Sequence, residues 1–469
     1  MYNQRPPRPS AMSSGWAPRH TISDSACQPG ASSRPIEFSS QPATSRQSSK
    51  GRTRRIGQMW RKPLMSASAW PCNRSGDSFA AMVSVRALHH IRVFYAAYFA
   101  AMGLILPFFP VFLDARGFNA GEIGMLVGLL AAAKVVAPPC AGALLDGRDA
   151  RRLRLAVMLC AGLAAWLALT LAYVQSWAGM AVVVFLFGAA WAVMLPLTDG
   201  ISVALSDFAE VDYGRLRVWG SLGFIVASFG GGMLLGGDQR LFPWWLASLM
   251  LVLALAARGF PPGSPSAAMH AREATAEDWR PFGWLLLTGF LMQASHGAYY
   301  GFFSLYLAQA GYAGWQIGGL WGIGVLAEVV LMWRSSAWIS RLNAGHVFLA
   351  CLLLAAVRWF GLAWDAHWWW LLSLQCLHAA TFAAFHVAAV TAVGRWMGRR
   401  HALAQGWYSA MGFGLGGTLG IMVCGAIVAR AGFAEAFVVC AALALLALPA
   451  AWAIASAERR CRRAGPRSD

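Results

Sequence analysis

From Ile91 onward, long apolar runs alternate with short polar breaks. The runs are roughly 17–28 residues long, and a bilayer crossing by a helix needs about 20. They fall near 91–113, 121–145, 153–173, 177–205, 215–236 and 241–258, then near 281–308, 315–334, 345–363, 367–392, 402–429 and 433–454. The longest internal break, 259–280, carries Pro261, Pro262, Pro265 and mixed charge, and it divides the twelve spans six and six. Barrel strands are about ten residues long and alternate in polarity, so a β-barrel is excluded. The pattern predicts an all-α membrane protein of twelve transmembrane helices in two pseudo-symmetric six-helix bundles, 91–258 and 281–454. A cytoplasmic linker, 259–280, joins them, and a basic cytoplasmic tail, 455–469, follows.

The first 88 residues break this pattern. They are rich in Ser, Pro, Arg and Gln, with 13 Arg/Lys against 3 Asp/Glu and no apolar periodicity. Disorder is the expectation for 1–88. The composition also fits a wrong translation start, with Met82 as the real one.

Charge then orients the chain. With the N-terminus in the cytoplasm, the inward breaks and the tail hold 19 arginines, and the outward breaks hold three, Arg116, Arg240 and Arg430. That asymmetry is a positive-inside signal for a multi-pass protein of the cell inner (plasma) membrane with both termini cytoplasmic. It also supports the count of twelve, because one missed span would scramble the alternation.

Composition sharpens the reading. Of the residues 58% are hydrophobic and only 12% are charged, about half the charged share of a soluble chain. The net charge of +18 invites a nucleic-acid partner. That is rejected, because the charge sits in the first 88 residues and at helix ends, with no basic face interleaved with stacking aromatics. The nine cysteines contain no C-x-x-C pair, so neither a disulfide framework nor a zinc site is inferred. No cofactor is expected.

Ionisable groups inside the spans are the sharpest clues, since each must offset its desolvation in hydrocarbon. Glu328 lies well inside span eight, between Ala327 and Val329, where a carboxylate suits proton carriage or structural pairing. Arg358 sits mid-way along span nine with no route to snorkel out. Its first candidate partner is Glu328, and its fork also suits a substrate carboxylate. His378 and His386 lie in span ten, and eight α-helical residues turn them about 80° apart. They fit one cavity wall but not one metal site. Either is a proton relay or a satisfied core residue.

In span seven, Gln293, His296, Tyr300 and Phe303 share one helical face, which suits a cavity for an organic ligand or interhelix packing. Tyr98 in span one is a weaker case of the same kind. Lys134, mid-way along span two, and Asp199, in the inner third of span four, are candidates for an ion pair, with Asp199 serving the inner gate. Pro107 and Pro110 should bend or unwind the outer part of span one. The glycines of spans five and eleven suit plain packing or a moving contact between the halves. The second break runs Gly142-Ala-Leu-Leu-Asp146-Gly147-Arg148-Asp149-Ala-Arg151-Arg152. Such charges form interhelical bonds that close a cytoplasmic face and break when it opens.

The segment from Gly142 to Arg152 resembles the loop signature of the major facilitator superfamily, except that Gly147 stands where the common pattern places Arg directly after Asp. Further segments resemble the phenylpropionate permease group, a relative of the sugar and nucleoside proton symporters. They are Asp212-Tyr213-Gly214-Arg215-Leu-Arg217-Val-Trp219-Gly220-Ser221, then Ser295-His296-Gly297-Ala298-Tyr299-Tyr300-Gly301-Phe302-Phe303, then Leu377-His378-Ala379-Ala380-Thr381-Phe382 with Ala404-Gln405-Gly406. The resemblance covers 91–454. It implies alternating access of two six-helix halves driven by a proton gradient. Glu328 and one of His378 or His386 would then couple protons. Arg358 would tune Glu328 or meet the substrate, and His296, Tyr300 and Phe303 would line the cavity. Asp146, Arg148, Arg151, Arg152, Asp199, Arg215 and Arg217 would serve gating.

The expected activity is proton-coupled uptake of a small organic nutrient such as an aromatic carboxylic acid, by a monomer. The alternatives are a sugar or nucleoside proton symporter, or a drug or metabolite exporter. A channel would need a more uniformly lined pore. An enzyme would need a nucleophile beside His378 and Glu328. An ATP-driven pump would need a G-x-x-x-x-G-K-[ST] segment, which this sequence lacks.

Overall fold

Lipid offers the backbone no hydrogen-bond partners, so each crossing segment closes its own bonds as a helix. The computed structural model describes residues 76–145, 150–209, 213–260 and 279–464. The first six spans are α1 (Gly76–Ala115), α2 (Ala120–Leu145), α3 (Ala150–Thr170), α4 (Trp177–Ala209), α5 (Tyr213–Leu235) and α6 (Phe242–Ala257). Span seven is two pieces, α7 (Trp279–Ala294) and α8 (Gly297–Gln309). Spans eight and nine are α9 (Gly314–Ile339) and α10 (Ala344–Trp364).

Span ten joins α11 (Trp368–Cys376) to α12 (Phe385–Trp396) through a π-helical stretch, Ala379–Ala384. Span eleven joins α13 (His401–Ser409) to α14 (Gly417–Arg430) through a second π stretch, Ala410–Gly416. Span twelve is α15 (Phe433–Leu446) with α16 (Leu448–Ala464). Among the described residues eleven helices are each long and apolar enough to cross a bilayer, and the broken span seven makes the twelfth. The protein is an all-α membrane protein of twelve spans in two pseudo-symmetric six-helix bundles.

Two expectations change. Residues 76–88 are helical rather than disordered, because the apolar residues from Phe79 to Val85 continue the pattern of span one. Pro107 and Pro110 do not unwind α1, which runs through both to Ala115. The remaining residues of the 1–88 extension, Asp146, Arg148, most of the 259–280 linker and the end of the tail lie outside the described residues.

The bundles meet near one end, here called the short-loop end, which carries the turns at 116–119, 171–176, 310–313 and 365–367. There α2 packs on α14 and α5 on α9. These pairings are related by the pseudo-twofold, since spans two and eleven correspond to spans eight and five. Both contacts need backbone-to-backbone approach. A Cβ on Gly318 of α9 would overlap the Ser228 carbonyl of α5, and one on Gly124 of α2 would stand 2.8 Å from Cα of Gly425 in α14. The rings of Phe229 and Trp315, 6.4 Å apart, flank the first contact.

Toward the opposite end, here called the terminus end because it carries the start of α1 and the end of α16, a cavity of about 390 Å³ lies between the bundles. It is lined by Tyr98, Lys134, Pro138, Pro196, Ser409 and Phe413, among others.

Gly318→Val should overpack the α5–α9 contact and disfavour closure of the short-loop end by about 1–3 kcal/mol. Labelling of Ser228→Cys by an impermeant thiol reagent, in a chain without other accessible cysteines, reads this directly. Labelling should be negligible with Gly318 and rapid with Val.

Candidate functional site

Arg358 lies mid-way along α10 and is fully buried. A guanidinium only donates hydrogen bonds, so its surroundings must accept. Nη1 bonds His378 Nδ1 at 3.0 Å, and Nη2 donates to Gln375 Oε1 at 3.2 Å. Its plane lies over Tyr299 at 4.2 Å and Trp359 at 4.5 Å, where ring quadrupoles favour a cation. Tyr299 also donates to Gln375 Oε1, at 3.0 Å.

The arginine fixes the histidine. His378 Nδ1 accepts from Arg358, so the ring proton of the neutral imidazole is on Nε2. That atom stands 2.8 Å from Glu328 Oε1. Arg358 therefore reaches Glu328 through His378 rather than pairing with it directly, as the sequence reading had expected. The chain Arg358–His378–Glu328 links spans nine, ten and eight.

Span seven is broken beside this chain. His296 N bonds to Gln293 O at 3.1 Å instead of to Met292 O. The freed Met292 carbonyl accepts from Ser295 Oγ at 2.7 Å and from His296 Nδ1 at 2.8 Å. Side chains thus re-satisfy the backbone, as helix breaks at membrane depth require. Because a carbonyl cannot donate, His296 carries its proton on Nδ1, and its buried Nε2 has no hydrogen-bond partner. The His296 ring stacks on Tyr300 at 5.7 Å, meets Trp359 edge-on at 4.8 Å and lies 6.2 Å from His378.

The break also shifts the face that a continuous helix would have kept. Gln293 is buried and faces Gly412, whereas Phe303 is fully buried against Tyr299 and Trp321. The π stretch after His378 likewise alters the angle computed to His386. His386 lies against Tyr408 and Phe413 at 6.3 Å and 5.9 Å, and its Nδ1 has no partner. The two π stretches meet where Phe382 contacts Phe413, ring to ring at 5.9 Å, and Phe382 stacks on His378 at 5.4 Å. Single π turns recur at functional sites. Phe413 also lines the cavity between the bundles, so the rings of Phe413 and Phe382 lead in series from that cavity to His378.

On the other wall, Tyr98 stacks on Trp191 at 5.2 Å, and the Lys134 ammonium lies 4.8 Å from a Trp191 ring. Lys134 has no acidic partner among the described residues and is exposed to the cavity. It does not pair with Asp199. That carboxylate accepts from Tyr95 at 2.6 Å, Tyr213 at 2.9 Å and Arg217 at 3.1 Å, which ties spans one, four and five together inside one bundle. Arg217 reaches it from the first turns of α5, which starts at the end where α4 finishes. Arg151 and Arg215 are exposed at the terminus end, as is Arg152. Sequence reasoning missed Gln375. Its signal was a lone amide in an apolar run, three residues before His378 and so on the same face.

Arg358→Met should leave the Glu328 carboxylate without a cation in its network and cost about 3–5 kcal/mol of stability, as breaking buried pairs does. Adding Glu328→Gln should restore most of the loss. Thermal unfolding of the purified variants measures the coupling, and strict additivity would show none.

The profile of the MFS_1 like family matches residues 88–439. The Escherichia coli (strain K12) protein named "Probable 3-phenylpropionic acid transporter" is 31% identical over 381 residues, covering 76% of this chain and 94% of that protein. The maltose permease of Geobacillus stearothermophilus is 27% identical over 351 residues, covering 72% and 87%. The crystal structure of nucleoside transporter NupG superposes with a TM-score of 0.67 at 19% identity, over 78% of this chain and 98% of that one, which shows a shared fold. The chain belongs to the MFS_1 like family of the major facilitator superfamily, and it is a multi-pass membrane transporter of small molecules rather than an enzyme.

Proposed function

We propose that this member of the major facilitator superfamily is a proton-coupled symporter that takes up a small aromatic carboxylic acid by alternating access. It would act as a monomer in the cell inner membrane with both termini cytoplasmic. On that orientation the short-loop end is the outer end, and the cavity lies on the cytoplasmic side of the closed contact.

The carrying observation is that Glu328 bonds to a neutral imidazole and not to the guanidinium. A proton can therefore join Glu328 without breaking an ion pair. A second proton on His378 would have to sit on Nδ1, facing the Arg358 guanidinium, so Glu328 is the proton site and His378 its positioning partner. His386, outside the chain of bonds, is not needed. Arg358 is enclosed, with both Nη atoms engaged, so its role is to hold His378 rather than to meet substrate.

Lys134 is the group open to a substrate anion. Its ammonium lines the cavity together with the rings of Tyr98 and Phe413, which supply a charge for a carboxylate and aromatic surface for a ring. Charge balance supplies the coupling. The empty carrier holds Lys134 and Arg358 as cations and Glu328 as an anion. Adding one carboxylate and one proton leaves that sum unchanged. The anion alone lowers the sum by one and the proton alone raises it by one, so in a low-dielectric bundle each load favours the binding of the other by Coulomb attraction.

A sugar or nucleoside is the second reading, favoured by the name of the maltose permease relative. Such substrates need several hydrogen-bonding side chains. Among the described cavity-lining residues only Tyr98, Lys134 and Ser409 offer polar side-chain groups.

In proteoliposomes, uptake of a labelled phenyl-substituted carboxylic acid should rise as the outer pH is lowered relative to the lumen. Sugars and nucleosides should gain nothing. Glu328→Gln should abolish accumulation against a gradient while sparing exchange. Lys134→Gln should raise KM for the acid by roughly tenfold or more, about the 1–3 kcal/mol of a charge-assisted bond, and keep the pH response. Uptake that ignores the pH gradient for every acid tried would sink the proposal.

A further inference from the structure

A second cavity lies on the outer face of the first bundle, away from the substrate path. It occupies about 680 Å³ between α5 and α6, with α1 as its floor. α5 and α6 follow one another in the chain and both pack on α1, yet this groove separates them. Small residues of α1, Ala96, Ala97 and Ala100, make the floor, and Ala227 and Gly231 of α5 line the groove beside them. Trp219 and Val226 of α5 and Trp245 of α6 make exposed walls. Along α1 the lining runs from Arg92 to Leu104, about 18 Å of helix. Half the hydrocarbon thickness of a bilayer is about 15 Å.

The groove is apolar except at its terminus end, where His89 and Arg92 line it one turn apart. Arg92 Nε is buried without a hydrogen-bond partner, and no carboxylate bonds this guanidinium among the described residues. Arg215 is exposed four residues before Trp219, so it stands over the same mouth. An unpaired guanidinium at the head of an acyl-length apolar groove matches one kind of molecule. The tail fills the groove, and the phosphate meets the planar fork bidentately.

We infer that this groove is a binding site for one anionic phospholipid of the leaflet at the terminus end, with its phosphate on Arg92 and one acyl chain between α5 and α6. A zwitterionic lipid would place its tail there equally well, but its own ammonium would offset the attraction. Basic pockets between spans select anionic head groups in this way.

The test uses the full chain in detergent, with phosphatidylglycerol and phosphatidylcholine of matched acyl chains as probes. Native mass spectrometry should show one tightly retained phosphatidylglycerol, bound about tenfold more tightly than phosphatidylcholine. The thermal midpoint should rise with the former more than with the latter. Arg92→Gln should erase the preference, whereas Arg341→Gln, an exposed arginine of the other bundle, should leave it intact. Val226→Trp, at an exposed wall position, should fill the groove and weaken both lipids. Inorganic phosphate should do nothing. Equal retention of the two lipids, a preference that survives Arg92→Gln, or equal loss in Arg341→Gln would each overturn the proposal.

Discussion

The buried guanidinium of Arg358 organises four of the six spans of one bundle. It cannot be neutralised and cannot reach the membrane surface, so the chain must bring acceptors and ring faces to it. His378 and Gln375 come from span ten, Tyr299 from span seven, and Trp359 from its own helix. Glu328 joins from span eight, through the imidazole. Four helices are thereby set in register by one cation. The break in span seven follows from the same crowding. His296 turns back to cap Met292, and its ring fits between Trp359 and Tyr300.

The other bundle has its counterpart in Asp199, which gathers Tyr95, Tyr213 and Arg217 at the terminus end. Neither charged cluster bridges the bundles. What joins the halves at the short-loop end is backbone approach through glycine, flanked by apolar side chains such as Phe229 and Trp315, with no ion pair across it among the described residues. Contacts of that kind are cheap to separate and reform, which suits a machine whose halves must rock. The cavity between them is walled by rings and prolines and carries one exposed ammonium, Lys134. Selection there would rest on one charge and on ring contact rather than on a hydrogen-bond array.

Much of the architecture was legible along the chain. Span number and the helical class follow from apolar run length, because hydrocarbon penalises every exposed polar group regardless of fold. The residues of the buried network were legible as types. Glu328, Arg358 and His378 stand out because charge inside a span is costly. Their order was not. Direct Glu328–Arg358 pairing is equally compatible with the sequence, and only the packing of three helices interposes His378. The expected Lys134–Asp199 pair failed for the same reason, since depth along a helix says nothing about which neighbour it faces. The shared face of Gln293, His296, Tyr300 and Phe303 assumed an unbroken α-helix. Ser295 and His296 supply their own caps, and no proline announces the break.

The sequence by itself determined that this chain crosses a membrane twelve times, which end carries the arginines, and which ionisable residues must be buried. Those properties depend on one-dimensional quantities, run length and charge placement, that the solvent reads directly. Tertiary structure alone decided that Arg358 reaches Glu328 through His378. It also decided that Lys134 opens to the cavity, that two π stretches meet at Phe382 and Phe413, and that α5 and α6 stand apart over Arg92. Each of these depends on the rotation and depth of one helix against another, set by side-chain volumes from distant parts of the chain.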